Sequence, residues 1–88
     1  MQDLTSNKDF DEYAAQFGWV YDNGGQYLQQ RWDWYVSDTA GIALLRQAPE
    51  KVCVVRFEEL TPTELWSGII RTSDEFDRMA GSIDELQK

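Results

Sequence analysis

The chain has no histidine and only one cysteine, and its eight Lys and Arg face sixteen Asp and Glu. Each shortage excludes a class of chemistry. Without histidine there is no imidazole base, no Ser–His or Cys–His nucleophile pair and no imidazole metal ligand. A single cysteine gives neither a disulfide framework nor a multi-thiolate zinc site. A formal net charge of −8 works against direct nucleic-acid binding, which needs Lys and Arg to displace counterions, and against anionic lipid. No apolar run approaches the ~20 residues that span a bilayer. The opening Met1-Gln2-Asp3-Leu4-Thr5-Ser6 lacks the basic and apolar regions of a secretory signal. The expectation is a cytoplasmic protein that is not an enzyme and has no cofactor, no metal site and no membrane contact.

What is present argues for a folded domain. Apolar residues make up 42% of the 88 positions, and the aromatics include four Trp, four Tyr and four Phe. Each large ring can bury about 150–250 Å², so a few of them can supply most of a small core. The length suits a single domain over residues 1–88. Cys53 lies inside the apolar run Val52-Cys53-Val54-Val55 and reads as a buried thiol rather than a reactive one.

The ends of the chain carry the clearest local signals. Ser6 can cap a helix starting near Asn7, with Phe10, Tyr13, Ala14 and Phe17 on one face and Gly18 as its stop. Thr61-Pro62-Thr63-Glu64 has the form of a capping box with proline at the first helical position. It predicts a short helix with Leu65, Trp66, Ile69 and Ile70 on its apolar face. Thr72-Ser73-Asp74-Glu75 repeats the signal ahead of Phe76, Met79, Ala80 and Ile83, with Gly81 as a break or a weak point.

The middle reads as strands. Val52–Phe57 is a β-branched run, and Ile42–Arg46 precedes it across a connector containing Pro49, which suggests an antiparallel hairpin. Trp32, Trp34 and Val36 alternate with Asp33 and Tyr35. Ser37–Gly41 would be one turn and Asp22-Asn23-Gly24-Gly25 another, rather than a phosphate loop. A rival reading makes residues 26–47 one long helix, with Leu28, Trp32, Tyr35, Val36, Thr39 and Ala43 as its stripe. The preferred fold is α+β, an antiparallel sheet of three or four strands packed by an N-terminal helix and two C-terminal helices. Its expected core is Phe10, Phe17, Val52, Val54, Trp66, Ile69, Phe76 and Met79.

Candidate functional residues are of two kinds. Carboxylates form three groups: Asp9, Asp11 and Glu12; Glu58, Glu59 and Glu64; and Asp74, Glu75 and Asp77, followed by Asp84 and Glu85. Several fall in first helical turns, where the helix dipole alone favours them. As a surface, Glu58, Glu59, Asp74, Glu75 and Asp77 are expected to meet at one edge and engage a basic groove by field complementarity. The second kind is Arg31-Trp32-Asp33-Trp34-Tyr35, since Trp, Tyr and Arg are frequent interface anchors. Trp32, Trp34 and Tyr35 are its candidate contact residues.

Two functions follow. The first is a small acidic protein-binding module that inhibits or antagonises a basic host protein such as a nuclease or polymerase. It would be a nucleic-acid mimic of the phage or mobile-element, anti-defence type. The alternative is a structural or assembly protein that forms a homodimer through an aromatic face.

Overall fold

In a computed structural model that describes residues 1–38, 41–58 and 61–86, the chain forms one five-stranded antiparallel sheet and two helices. The order is α1 (Asn7–Gln16), β1 (Val20–Tyr27), β2 (Gln30–Val36), β3 (Ile42–Gln47), β4 (Lys51–Glu58), β5 (Thr61–Ile69) and α2 (Ser73–Leu86). The strands pair in sequence order, so the sheet is a simple meander with β1 and β5 at its edges. Among the described residues no helix is long and apolar enough to cross a membrane.

The α+β class and the antiparallel sheet agree with the sequence reading, and both terminal helices form where their caps predict. The Ser6 hydroxyl accepts from the Asp9 amide to start α1, and Gly18 follows its end at φ +85°. Thr72 starts α2 by accepting from the Glu75 amide, while the Glu75 carboxylate reaches back to the Arg71 amide, a reciprocal cap. Gly81 weakens this helix without ending it, since α2 runs on to Leu86.

Three expectations are corrected. Residues 61–69 form β5, not a helix, so there are five strands and only one C-terminal helix. Pro62 is tolerated there because an edge strand leaves some amides unpaired. A bulge sets Val54 opposite Trp66 but Val55 opposite Glu64, so Leu65 is extra. Leu65 and Trp66 then both pack against the helix-side core, which breaks the period of 2 that would have marked a strand. Second, Asp22–Gly25 is strand, with its register shifting between Tyr21 and Asn23. The turn lies further on, at Leu28 and Gln29, both left-handed at φ 52° and 64°. This is the backbone of a two-residue hairpin turn, built here without glycine. Third, residues 26–47 are not one helix: the described ones span the end of β1, β2 and β3, while Thr39 and Ala40 of the expected 37–41 turn lie outside the described residues.

Both helices lie on the same face of the sheet. Between them and the strands is the main core: Leu4, Phe10, Ala14, Trp19, Tyr35, Ile42, Leu44, Val52, Val54, Ile70, Phe76, Met79 and Ile83. Phe10 meets Tyr35 and Phe76 edge-on, at centroid distances of 5.4 and 5.6 Å. Phe10, Val52, Val54, Phe76 and Met79 are buried as expected, but Trp66 is only half-buried. Phe17 and Ile69 are exposed: Phe17 caps the end of α1, and Ile69 points to the other face of an edge strand. Arg46 is fully buried on the helix side. Its guanidinium donates to Asn7 Oδ1 (2.6 Å) and to the carbonyls of Thr5 (3.1 Å) and Pro49 (3.0 Å), and lies 4.5 Å from the centre of the Phe10 ring. It thereby ties the start of α1 to the β3–β4 turn.

Candidate functional site

The opposite face of the sheet carries no helix. Strand alternation sends Trp32, Trp34, Ala43, Leu45, Cys53 and Val55 to this side, where they form a second, thinner apolar cluster with Tyr27. Aromatic rings cover part of it. Trp34 on β2 stacks on Phe57 of β4 (centroids 5.6 Å apart, planes within 14°), so the pair bridges over β3. Trp32 is buried although no second layer lies above it. Tyr27 meets its ring edge-on, its indole N–H donates to the Tyr27 carbonyl at 3.1 Å, and the Lys51 ammonium lies 5.4 Å from its ring centre. Glycine makes room for the second ring: a Cβ on Gly25 would sit 2.8 Å from Trp34 Nε1. That indole N–H is buried without an acceptor.

Beside these rings runs an open apolar groove of about 590 Å³. Cys53 lies at its floor; one wall is Tyr27, Leu28 and Trp32, the other Glu64, Ser67 and Ile69. The Cys53 thiol donates to Glu64 Oε1 at 3.3 Å, and burial, then this hydrogen bond, push its pKa up to about 12. It is therefore a protonated, inert group at neutral pH. Around the groove and the rings several large apolar side chains stand in solvent: Leu28 (72% exposed), Ile69 (48%), Phe57 (42%) and Val36 (41%).

The helical layer is the chemical opposite. It carries Asp9, Asp11 and Glu12 on α1 and Asp74, Glu75, Asp77, Asp84 and Glu85 on α2, against Lys8 and Arg78. Three of these carboxylates serve the fold. Tyr13 on α1 donates to Asp77 on α2 at 2.6 Å, and this hydrogen bond raises the tyrosine pKa. Tyr35 donates to Asp11, and Glu75 closes the α2 cap. Glu12, Asp74, Asp84 and Glu85 are exposed. Among the described residues no three Asp, Glu or Cys side chains converge as a metal ion would require.

The candidate residues therefore divide. Trp32 and Trp34 share the open face, whereas Tyr35 points the other way and is buried beneath the helices. Asp74, Glu75 and Asp77 begin α2, close to the end of β5 that pairs Ile69 with Lys51. Glu58 ends β4 at the other end of that ladder, opposite Thr61, and Glu59 lies outside the described residues. A strand of nine residues, roughly 30 Å long, separates Glu58 from Asp74. Glu58 is thus kept apart from the third acidic group. The first and third are brought together instead, through the Tyr13–Asp77 hydrogen bond and the Phe10–Phe76 contact.

The sequence reading did not single out Leu28, Val36 or Phe57 as surface residues. Val36 and Phe57 follow from the alternation that places Trp34 and Val55 on the open face. Leu28 has no such signal, because the hairpin turn it occupies lacks the usual Asn or Gly. In comparison with known proteins, the chain matches no family, no curated protein and no solved structure.

Proposed function

We propose that this protein is a non-catalytic, acidic protein-binding module that engages a basic, nucleic-acid-handling protein through its helical layer, acting as an inhibitor or antagonist. The observation that carries this reading is the side-by-side placement of α1 and α2, which gathers eight carboxylates against two cations on one side of the molecule. A helix the length of α2, 14 residues, extends ~21 Å, a length over which duplex DNA presents about 12 negative charges. Eight carboxylates over a similar length come within a factor of two of that density. A field of this kind steers encounter with a basic groove and makes affinity fall as salt rises. Tyr13–Asp77 and the aromatic contacts between the helices hold the charged rows in fixed register, so little ordering is needed on binding.

The test is competition. A basic DNA-binding protein held on duplex DNA is titrated with this chain at low and at high salt. The expected result is displacement of DNA at low salt, lost at high salt and lost in the triple reversal Glu12→Lys, Asp74→Lys, Asp84→Lys. These side chains are exposed, and the hydrogen bonds that hold Tyr13, Tyr35 and the α2 cap use Asp77, Asp11 and Glu75 instead, so the variant should fold. Displacement that survives the triple reversal would overturn the reading.

A further inference from the structure

We infer that the uncovered face of the sheet is a self-association surface, occupied by a second copy of this chain packed face to face about a two-fold axis. The inference does not depend on the basic partner proposed above.

Charge placement identifies the occupant. The chain carries a net −8, yet among the described residues the strands present Lys51 and Glu64 to the open face and its groove, plus Glu50 at the rim, where it is paired with Arg71. The carboxylates of α1 and α2 lie on the far side of the sheet. Two copies meeting through their helical layers would oppose like charges directly. Two copies meeting through their open faces would keep those layers apart by the full thickness of both sheets and the apolar contact between them. Among the described residues a basic partner finds no acidic patch on this face to recognise, so field complementarity favours a partner as nearly neutral there as the face itself.

Shape and composition agree. Five strands spaced ~4.8 Å and about six residues long give a footprint of roughly 500 Å² before side-chain relief, which brings it towards the ~800 Å² per partner of a standard interface. Its centre is aromatic, Trp34 stacked on Phe57, as interface anchors usually are. Leu28 and Ile69 stand at opposite walls of the groove, both exposed, and an isologous contact buries each of them twice. Sheets packed this way lie ~10 Å apart with their side chains interleaved, which would cover the part-exposed rings of Trp34, Phe57 and Tyr27 that lie over Leu45, Cys53 and Val55.

Sedimentation equilibrium over a wide concentration range tests this directly. The wild-type chain should reach twice its 10.2 kDa mass. Raising salt should strengthen the association, because the remaining repulsion between two acidic copies is screened while the apolar contact is not. That sign is opposite to the one expected for a basic partner. The double variant Leu28→Lys, Ile69→Lys should stay at 10.2 kDa. It lowers the net negative charge, so its loss of association cannot come from added overall repulsion, and both sites are exposed enough to leave the fold intact. Glu12→Lys with Asp74→Lys should still dimerise. A wild-type chain that remains monomeric at high concentration and high salt overturns the inference, as does a double variant that still dimerises or a dimer lost in the helical-layer variant.

Discussion

The two faces of this sheet are made from the same strands and end in different states. Under the helices, Leu44, Val52 and Val54 lie in a closed core of interlocked rings with none of their surface exposed. One residue further along each strand, Leu45, Cys53 and Val55 point the other way and are as deeply buried, but under the rings of Trp34, Phe57, Tyr27 and Trp32 rather than under helices. One face is finished by helices; the other is covered by rings, of which Trp34, Tyr27 and Phe57 remain partly in water. The comparison teaches that charge and apolar exposure have been sorted to opposite sides. The side closed by helices carries the carboxylates, and the side closed by rings is nearly neutral.

The largest way to break this contrast is to remove a ring beneath the helices. Phe76→Ala should cost about 3–5 kcal/mol, because Phe76 touches Phe10, Tyr13 and Phe17 and is fully buried. A domain of this length has about 4–13 kcal/mol in total, so chemical denaturation should find the variant mostly or wholly unfolded. Arg46→Ala follows, at about 3 kcal/mol or more. It deletes three hydrogen bonds from a buried cation and leaves Asn7 and two carbonyls short of a donor.

A third prediction sets one titrating group on each face. Burial, then the hydrogen bond to Asp11, raises the pKa of Tyr35 beneath the helices; burial, then Glu64, raises that of Cys53 on the open face from 9.0 to about 12. Both groups hold their proton more tightly folded than unfolded. Their contribution is complete below the unfolded values, near 9 for the thiol, and is lost as pH rises from there towards 12. Thermal melts should therefore fall steadily above pH 9, and Cys53→Ala should delay the onset. A melting temperature flat across that window would contradict the burial assigned to both groups.

On the open face the expected effects shrink. Trp34→Ala should cost about 1–2 kcal/mol, since its ring is only partly enclosed. Gly25→Ala should act through the same ring by displacing it from the backbone it lies against, visible as a shift in indole fluorescence. Leu28→Lys should change stability by no more than about 0.5 kcal/mol. If Trp34→Ala proves as costly as Phe76→Ala, the open face is a second closed core and the contrast fails.

The contrast was partly legible in the sequence. The Ser6 cap and the Phe10–Ala14 spacing announce α1, Thr72 and Glu75 announce α2, and the alternation of Trp32, Trp34 and Val36 shows that β2 has two different sides. What misled was chemistry with two uses. Thr61-Pro62-Thr63-Glu64 suits a helix start and an edge strand equally, and the bulge at Leu65 removes the alternation that would decide between them. Asn23-Gly24-Gly25 suits a turn, but here its missing side chains make room for Arg31 and Trp34 from the neighbouring strand. The acidic surface was legible only as composition. Which groups meet depends on how α2 crosses β5, and that crossing joins Asp77 to Tyr13 while holding Glu58 a strand's length away.

The most direct measurement of the division between faces is a dilution series followed by side-chain NMR. Signals of Leu28, Val36, Phe57 and Ile69 should move together as the protein is diluted, while those of Tyr13 and of the carboxylates of α1 and α2 stay fixed. Movement in the helical layer with a silent open face would contradict the account.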